Sequence, residues 1–216
     1  MAMPISSAVA SKSLDRTTFE ELYAGKAPWD IPKAQPAFEA VAERITGPIL
    51  DAGCGTGEHA LFFASRGQEV TGIDFVEEAV RRARRKAIER KLSVEFLVKD
   101  ATKLANWEKR FANIIDCGMF HVFSDDDRRR YVEGLTRILE RGGRLFLMTF
   151  SDEEPGTEGP RRVSRRELHD AFADGWDVES IQPVQIEVNS EFSEMTFSEG
   201  GPKAWFAVVR RYGEEQ

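Results

Sequence analysis

The sequence has little of what several classes of protein need. It carries two cysteines, Cys54 and Cys117, in 216 residues. That is too few for a disulfide framework, and reduced thiols in a cytoplasm are expected. No apolar run approaches the ~20 residues that span a bilayer. The first 13 residues lack a charged start followed by a solid apolar stretch, so they read as a frayed tail rather than a secretory signal. A basic excess is missing too: 30 Lys and Arg face 37 Asp and Glu, a net charge of −7. A nucleic-acid substrate needs a basic face to neutralise phosphates. The one basic cluster, Arg81, Arg82, Arg84, Arg85 and Lys86, reads as a solvated helix face. Neither nucleic acid nor a membrane is expected as a partner. Histidine is scarce, and no His/Cys/Asp grouping has metal-ligand spacing, so no metal is expected.

What is present is alternation. Residues 48–52, 69–74, 93–98, 111–117 and 144–150 read as short apolar strands, with helices beginning near Glu58, Val76 and Asp125. Gly67, Gly118 and the pair Gly142-Gly143 punctuate them. This pattern is an α/β fold: a doubly wound, mostly parallel seven-stranded sheet with helices on both faces. Further on, Ser164 caps a helix over 164–173, with Glu167 completing a capping box. Residues 178–188 alternate apolar with polar, and a last strand covers 203–210. The change from solid to alternating strands predicts an antiparallel edge. Upstream, residues 17–23 and 36–45 look helical, separated by a proline-bounded bend over 29–36. The expected division is a tail and helical lid over 1–46 and a core over 47–216, one domain overall, acting as a monomer or homodimer.

The chemistry concentrates after the first strand. Asp51-Ala-Gly-Cys-Gly-Thr-Gly57 joins that strand to a helix. Gly53 and Gly55 permit a tight turn, and Gly57 permits close packing of helix on strand. Asp74, about 20 residues on, ends the second strand where a carboxylate can accept both hydroxyls of a ribose. A dinucleotide loop has the spacing G-x-G-x-x-G around a pyrophosphate. Here the glycines alternate and Asp51 precedes them. An acid at that place repels a pyrophosphate and suits the ammonium of an amino-acid tail. The charge argument therefore favours S-adenosylmethionine over NAD.

At these residues the chain resembles the class I, Rossmann-like S-adenosylmethionine-dependent methyltransferases. The resemblance runs from about Ile49 to Phe150. It implies that Asp51, Gly53 and Gly55 surround the methionine moiety, that Asp74 binds the ribose, and that Phe75 flanks the adenine. Asp100 and Ala101 would read the adenine edge, although Asp100 equally suits a helix N-cap. The backbone around Cys117, where the fourth strand ends, would lie against the cofactor. A narrower resemblance is carried by Tyr23-Ala-Gly-Lys-Ala-Pro-Trp-Asp-Ile-Pro-Lys-Ala-Gln-Pro-Ala-Phe38 and by Gly55-Thr-Gly-Glu-His-Ala-Leu-Phe-Phe-Ala64. Both look like the branch that methylates thiols, thiopurines, halides and heterocyclic toxins. In that branch the tryptophan matching Trp29 lies against the cofactor within a lid. The segment departs from the pattern at Pro32 and Ala34, where glycine and proline are usual, and Pro32 also restricts Ile31.

These readings give a small-molecule acceptor (thiol, phenol or ring heteroatom) bound by Tyr23, Trp29, His121 and Phe123, with His121 as the catalytic base. The loop over 189–202, with Phe192, Met195 and Phe197, would supply a second lid; these side chains equally suit hydrophobic anchors that pin a long loop. The rivals are a nucleic-acid or protein methyltransferase, which lacks an Asn/Asp-Pro-Pro-aromatic motif here, and an NAD-dependent oxidoreductase, which lacks Tyr-x-x-x-Lys.

Overall fold

The computed structural model describes residues 16–25, 27–157, 159–189, 191 and 197–212. Phe192, Met195 and the expected tail lie outside the described residues. β1 (Ile49–Ala52), β2 (Val70–Asp74), β3 (Glu95–Val98), β4 (Phe111–Cys117) and β5 (Leu139–Phe150) run parallel. β7 (Lys203–Arg211) runs against β5, and β6 (Trp176–Gln185) pairs antiparallel with β7. The sheet order is β3-β2-β1-β4-β5-β7-β6. The reversed strand thus sits one place in from the margin, and β6 ends the sheet. Pro183 lies in that outer strand, where a missing N–H leaves no ladder bond broken on the open side.

Among the described residues there are six α-helices: α1 (Arg16–Ala24), which packs on α4, and α2 (Pro36–Ala40), α3 (Glu58–Ser65), α4 (Glu77–Glu89), α5 (Asp125–Ile138) and α6 (Arg165–Ala171), which flank the sheet. Period-two alternation along the strands splits the core into two faces. Leu145 and Leu147 pack with Tyr131 and Leu135 of α5 and Leu168 of α6. Phe146 and Met148 pack with Phe38 of α2, Leu61 of α3 and Val80 of α4. The capping box at Ser164 and Glu167 forms as its spacing predicts.

Two boundaries differ from expectation. β5 begins at Leu139, directly after α5, and its register against β4 shifts between Phe111 and Asn113. Gly142 and Gly143 therefore lie inside an irregular strand instead of separating it from the helix. The packing also does not change at residue 46. Phe38, Ala42 and Ile45 are buried against the sheet, and cutting back Phe38 would cost ~3–5 kcal/mol. These three side chains are core, whereas Glu39, Glu43 and Arg44 beside them are exposed.

Candidate functional site

The chain after β1 turns to the face of α3 and α4, whereas the chain after β4 turns to the face of α5. A crevice opens where the two directions part, at the carboxyl ends of the strands. The glycine loop fills its floor. Gly57 has φ 89°, and a Cβ there would meet Phe96 and Ala83 within 3.0 Å, so the start of α3 is pressed onto its neighbours. At Gly55, φ 52°, a Cβ would fall 2.6 Å from the Tyr23 hydroxyl. The space above this glycine is already committed to the N-terminal segment.

Asp74 ties the loop to β2. Its Oδ2 accepts the Gly55 N–H at 3.0 Å and its Oδ1 the Val76 N–H at 2.8 Å. Each oxygen retains acceptor capacity for a hydroxyl. Burial pushes this carboxyl up to about 6 despite those bonds. Asp51 is pushed up to about 7, by burial first and then by Asp116 and Asp74. No cation enters the balance at either group. A buried site with surplus negative charge accepts a cationic ligand and resists a pyrophosphate.

A cavity of about 640 Å³ runs from this floor to an aromatic end, within the range of small-molecule sites. Trp29, Gly53, Phe75, Asp100, Ala101 and Cys117 are on its wall, as are Tyr23, His121 and Phe123. Asp100 also caps a short 3₁₀ turn, its Oδ1 accepting the Thr102 N–H at 2.9 Å. The segment 27–35 is fastened on both sides of the cavity. Thr56 donates to the Asp30 carboxylate at 2.6 Å. The Gln35 amide pairs with the backbone of Glu187, donating at 2.8 Å and accepting at 2.9 Å. Arg82 of α4 donates to the carbonyls of Tyr23 and Gly25. Trp29, 38% exposed, sits at the mouth and donates to the Tyr23 hydroxyl at 3.0 Å.

Three residues take positions that differ from the sequence reading. Asp51 is 1% exposed and stands behind the wall; its Oδ2 accepts the N–H of Ala60, one of the unpaired amides in the first turn of α3. Its influence on a ligand runs through charge and through the helix it caps. Tyr23 lies on the glycine loop, at the floor and not at the aromatic end. His121, read as the base, has no lone pair to offer. Its Nδ1 accepts the Phe150 N–H at 3.0 Å, beside the Thr149 hydroxyl at 3.3 Å. Burial, then Arg128 and Arg162, push the ring down to about 3, so it is neutral with its proton on Nε2. A ring in that state donates and does not abstract.

The sequence reading missed most of the far end of the cavity. Met148, Phe150, Ile186, Val188 and Phe197 line it. Phe150 had a signal, since it ends a parallel strand beside β4; Phe197 alone among these is an expected site residue, in the loop over 189–202 that the sequence reads as a second lid. His59 also lines the cavity, and burial lowers it to about 4. Its Nε2 accepts the Gln35 N–H at 3.2 Å, so this ring too is fixed as a donor. The thiols of Cys54 and Cys117 are pushed well up by burial and neighbouring carboxylates, which removes them as nucleophiles. Among the described residues no cluster of His, Cys, Asp and Glu is arranged to hold a metal ion.

Residues 49–143, from β1 into β5, match the methyltransferase domain family. A 2-heptyl-1-hydroxyquinolin-4(1H)-one methyltransferase of Mycobacteroides abscessus is 32% identical over 205 residues, 89% of this chain and 88% of that protein. The chain belongs to the class I S-adenosylmethionine-dependent methyltransferases. A structure solved for the conversion of a disulfide bond into a thioacetal group during echinomycin biosynthesis superposes with a TM-score of 0.81 at 33% identity. It covers 93% of this chain and 94% of its own. The [4+2]-cyclase SpnF, at 20% identity and a TM-score of 0.72 over 95% and 97% of the two chains, shares the fold. The cofactor of this methyltransferase is S-adenosylmethionine, and the negative, phosphate-averse floor fits its sulfonium and ammonium charges.

Proposed function

We propose that the enzyme transfers a methyl group from S-adenosylmethionine to a small aromatic acceptor, at a heteroatom presented in the far end of the cavity. The carrying observation is the cavity itself. One continuous space of about 640 Å³ joins a carboxylate-rich floor to a wall of Met148, Phe150, Phe123, Ile186 and Phe197, the size and character of a small-molecule site. The quinolone methylated by the relative from Mycobacteroides abscessus is an acceptor of this size and character.

In this reading Asp74 accepts the ribose hydroxyls, Gly53 and the backbone of Gly55 border the methionine tail beside the Tyr23 hydroxyl, and Phe75, Asp100 and Ala101 border the adenine. Trp29 closes the mouth. Bound there, S-adenosylmethionine supplies an electrophilic methyl group on a cationic sulfur. The protein's part is to hold the acceptor heteroatom in line with that methyl and to exclude water. The unpaired Cys54 and Cys117 accord with a reducing cytoplasm.

Calorimetry is expected to show binding of S-adenosylhomocysteine and none of NAD. A panel of phenols, thiols and hydroxylated heterocycles with labelled cofactor is expected to yield methylated products. Label appearing only in tRNA or protein would overturn the reading.

A further inference from the structure

We propose that the Nε2–H of His121 is a fixed hydrogen-bond donor to the acceptor heteroatom, and that the acceptor is a weakly acidic O–H or S–H compound bound as its anion. The proposal rests on the preceding reading that a small molecule is methylated at the aromatic end of the cavity. It does not follow from that reading, because the same cavity would serve a neutral ring nitrogen.

The argument begins with a backbone amide. A peptide N–H only donates, so the contact from Phe150 to Nδ1 fixes the tautomer: Nδ1 accepts, and the ring proton is on Nε2. The imidazole is 6% exposed and on the cavity wall. Nε2 has no partner among the described residues, yet it is not sealed from the cavity. A buried N–H directed into an open space is a hydrogen bond awaiting a ligand.

Two guanidiniums near it favour an anion, each partly balanced: Arg128 pairs with Glu167 at 3.5 Å, and Glu154 faces Arg162. Arg128 of α5 and Arg162 of the 159–163 loop both bear on the ring. Arg128 lies 4.2 Å over Phe120, and Arg162 lies 5.0 Å over Phe150. The carboxylate on the same wall, Asp127, is engaged by Arg130 and the Ser124 hydroxyl. Among the described residues the candidate bases on the wall other than the ribose carboxylate Asp74 are already engaged, Asp100 by Thr102 and Lys103. His59 has its Nε2 filled by Gln35, Asp30 takes the Thr56 hydroxyl, and Glu58 is held by Lys86 and Arg90.

The step balances without a base. The acceptor loses its proton to bulk water before binding. Its anionic heteroatom then forms the bond to the methyl carbon as the carbon–sulfur bond breaks, and that electron pair stays on sulfur. An anion and a cation become two neutral products, so the low-dielectric cavity favours the transition state over the charged pair.

The test uses 4-nitrophenol, whose neutral and anionic forms absorb differently, bound to the full chain with S-adenosylhomocysteine. The enzyme is expected to bind nitrophenolate at least about tenfold more tightly than nitrophenol, which lowers the apparent pKa of the bound probe. In His121→Asn the amide oxygen still accepts the Phe150 N–H, but the outer donor is gone, and the preference for the anion is expected to vanish. His121→Gln, which restores an N–H near Nε2, is expected to recover it. Nitrogen NMR of the wild type is expected to show the Nε2–H tautomer across neutral pH. Equal binding of the two probe forms, no binding of either, an Nδ1–H tautomer, or an unchanged preference in His121→Asn would each overturn the proposal. Methylation confined to neutral amines would overturn it too while leaving the small-molecule reading intact. Methylation of no small acceptor would overturn that reading instead.

Discussion

At the scale of single residues, Asp74 does two jobs with one carboxylate. It accepts two backbone amides that set the loop, and it offers its remaining lone pairs to the ligand. Replacing it by alanine removes charge-assisted bonds worth about 1.5–3 kcal/mol, a ten- to hundredfold loss of S-adenosylhomocysteine affinity. The sign of the pH effect follows from its raised value of about 6. Above that pH the group is ionised and accepts hydroxyls well; below it, a proton must leave before the ligand binds. Affinity measured by calorimetry is therefore expected to fall as pH drops from 7 to 5, by at most about tenfold per unit for this one group. Asp51, pushed up to about 7, bends the curve the same way through its charge. In Asp74→Asn the dependence is expected to flatten; a mutant with the wild-type slope would remove Asp74 from the ribose.

At the scale of elements, α1 is the part whose order depends most on its surroundings. It has nine residues, and an isolated helix of that length is marginal in water. It is held by Tyr23 packing under Ala79 of α4, by Phe19 against Phe75, and by Arg82 on the two carbonyls at its end. Arg82→Ala is expected to speed amide exchange in α1 about ten- to hundredfold. Saturating S-adenosylhomocysteine, which lies beneath Tyr23 in the proposed pose, is expected to reverse much of that loss. Trp29 packs edge-on against Phe19 and Tyr23 of this cluster and is 38% exposed. Trp29→Ala is expected to lower turnover strongly while costing about 1 kcal/mol or less in unfolding experiments. A collapse of stability in step with activity would make Trp29 a core residue.

What the sequence disclosed at this scale follows from distance along the chain. The glycine loop, Asp74, the strand ends and the capping box at Ser164 are local patterns, so spacing alone revealed them. The tie from Phe150 to His121 spans 29 positions, and that from Gln35 to Glu187 spans 152. Neither has a local signature. His121 was singled out from its place after β4 and lines the cavity, but its protonation state is set by an amide on another strand, and no reading of neighbours supplies that. The glycine pair at 142–143 falls in the interruption of the β4–β5 ladder between Leu139 and Arg144, and only the separate pairing of Leu139 with Phe111 carries the strand back to α5.

At the scale of the whole molecule, the question is where the positive charge goes. A polyanionic substrate is held by basic side chains free to displace its counterions. The basic cluster of α4 is largely occupied inside the protein. Arg82 holds the end of α1, Arg84 donates twice to the Phe96 carbonyl, and Lys86 donates to Thr56 and Glu58. Arg81 and Arg85 reach solvent, each beside a glutamate. The cluster braces the glycine loop and α1, so of five cations on paper three, Arg81, Arg84 and Arg85, stand exposed, and Arg84 is tied to a backbone carbonyl. The chain is accordingly expected not to retain tRNA or duplex DNA in filter binding even at ~50 mM salt, where phosphate contacts are strongest. Arg81→Ala with Arg85→Ala is expected to leave S-adenosylhomocysteine affinity unchanged. Lys86→Ala, which frees Glu58 and Thr56 beside the loop, is expected to weaken it. A tRNA complex that loosens with salt and disappears when Arg81 and Arg85 are replaced would turn this face into a binding surface and return a nucleic-acid acceptor to first place.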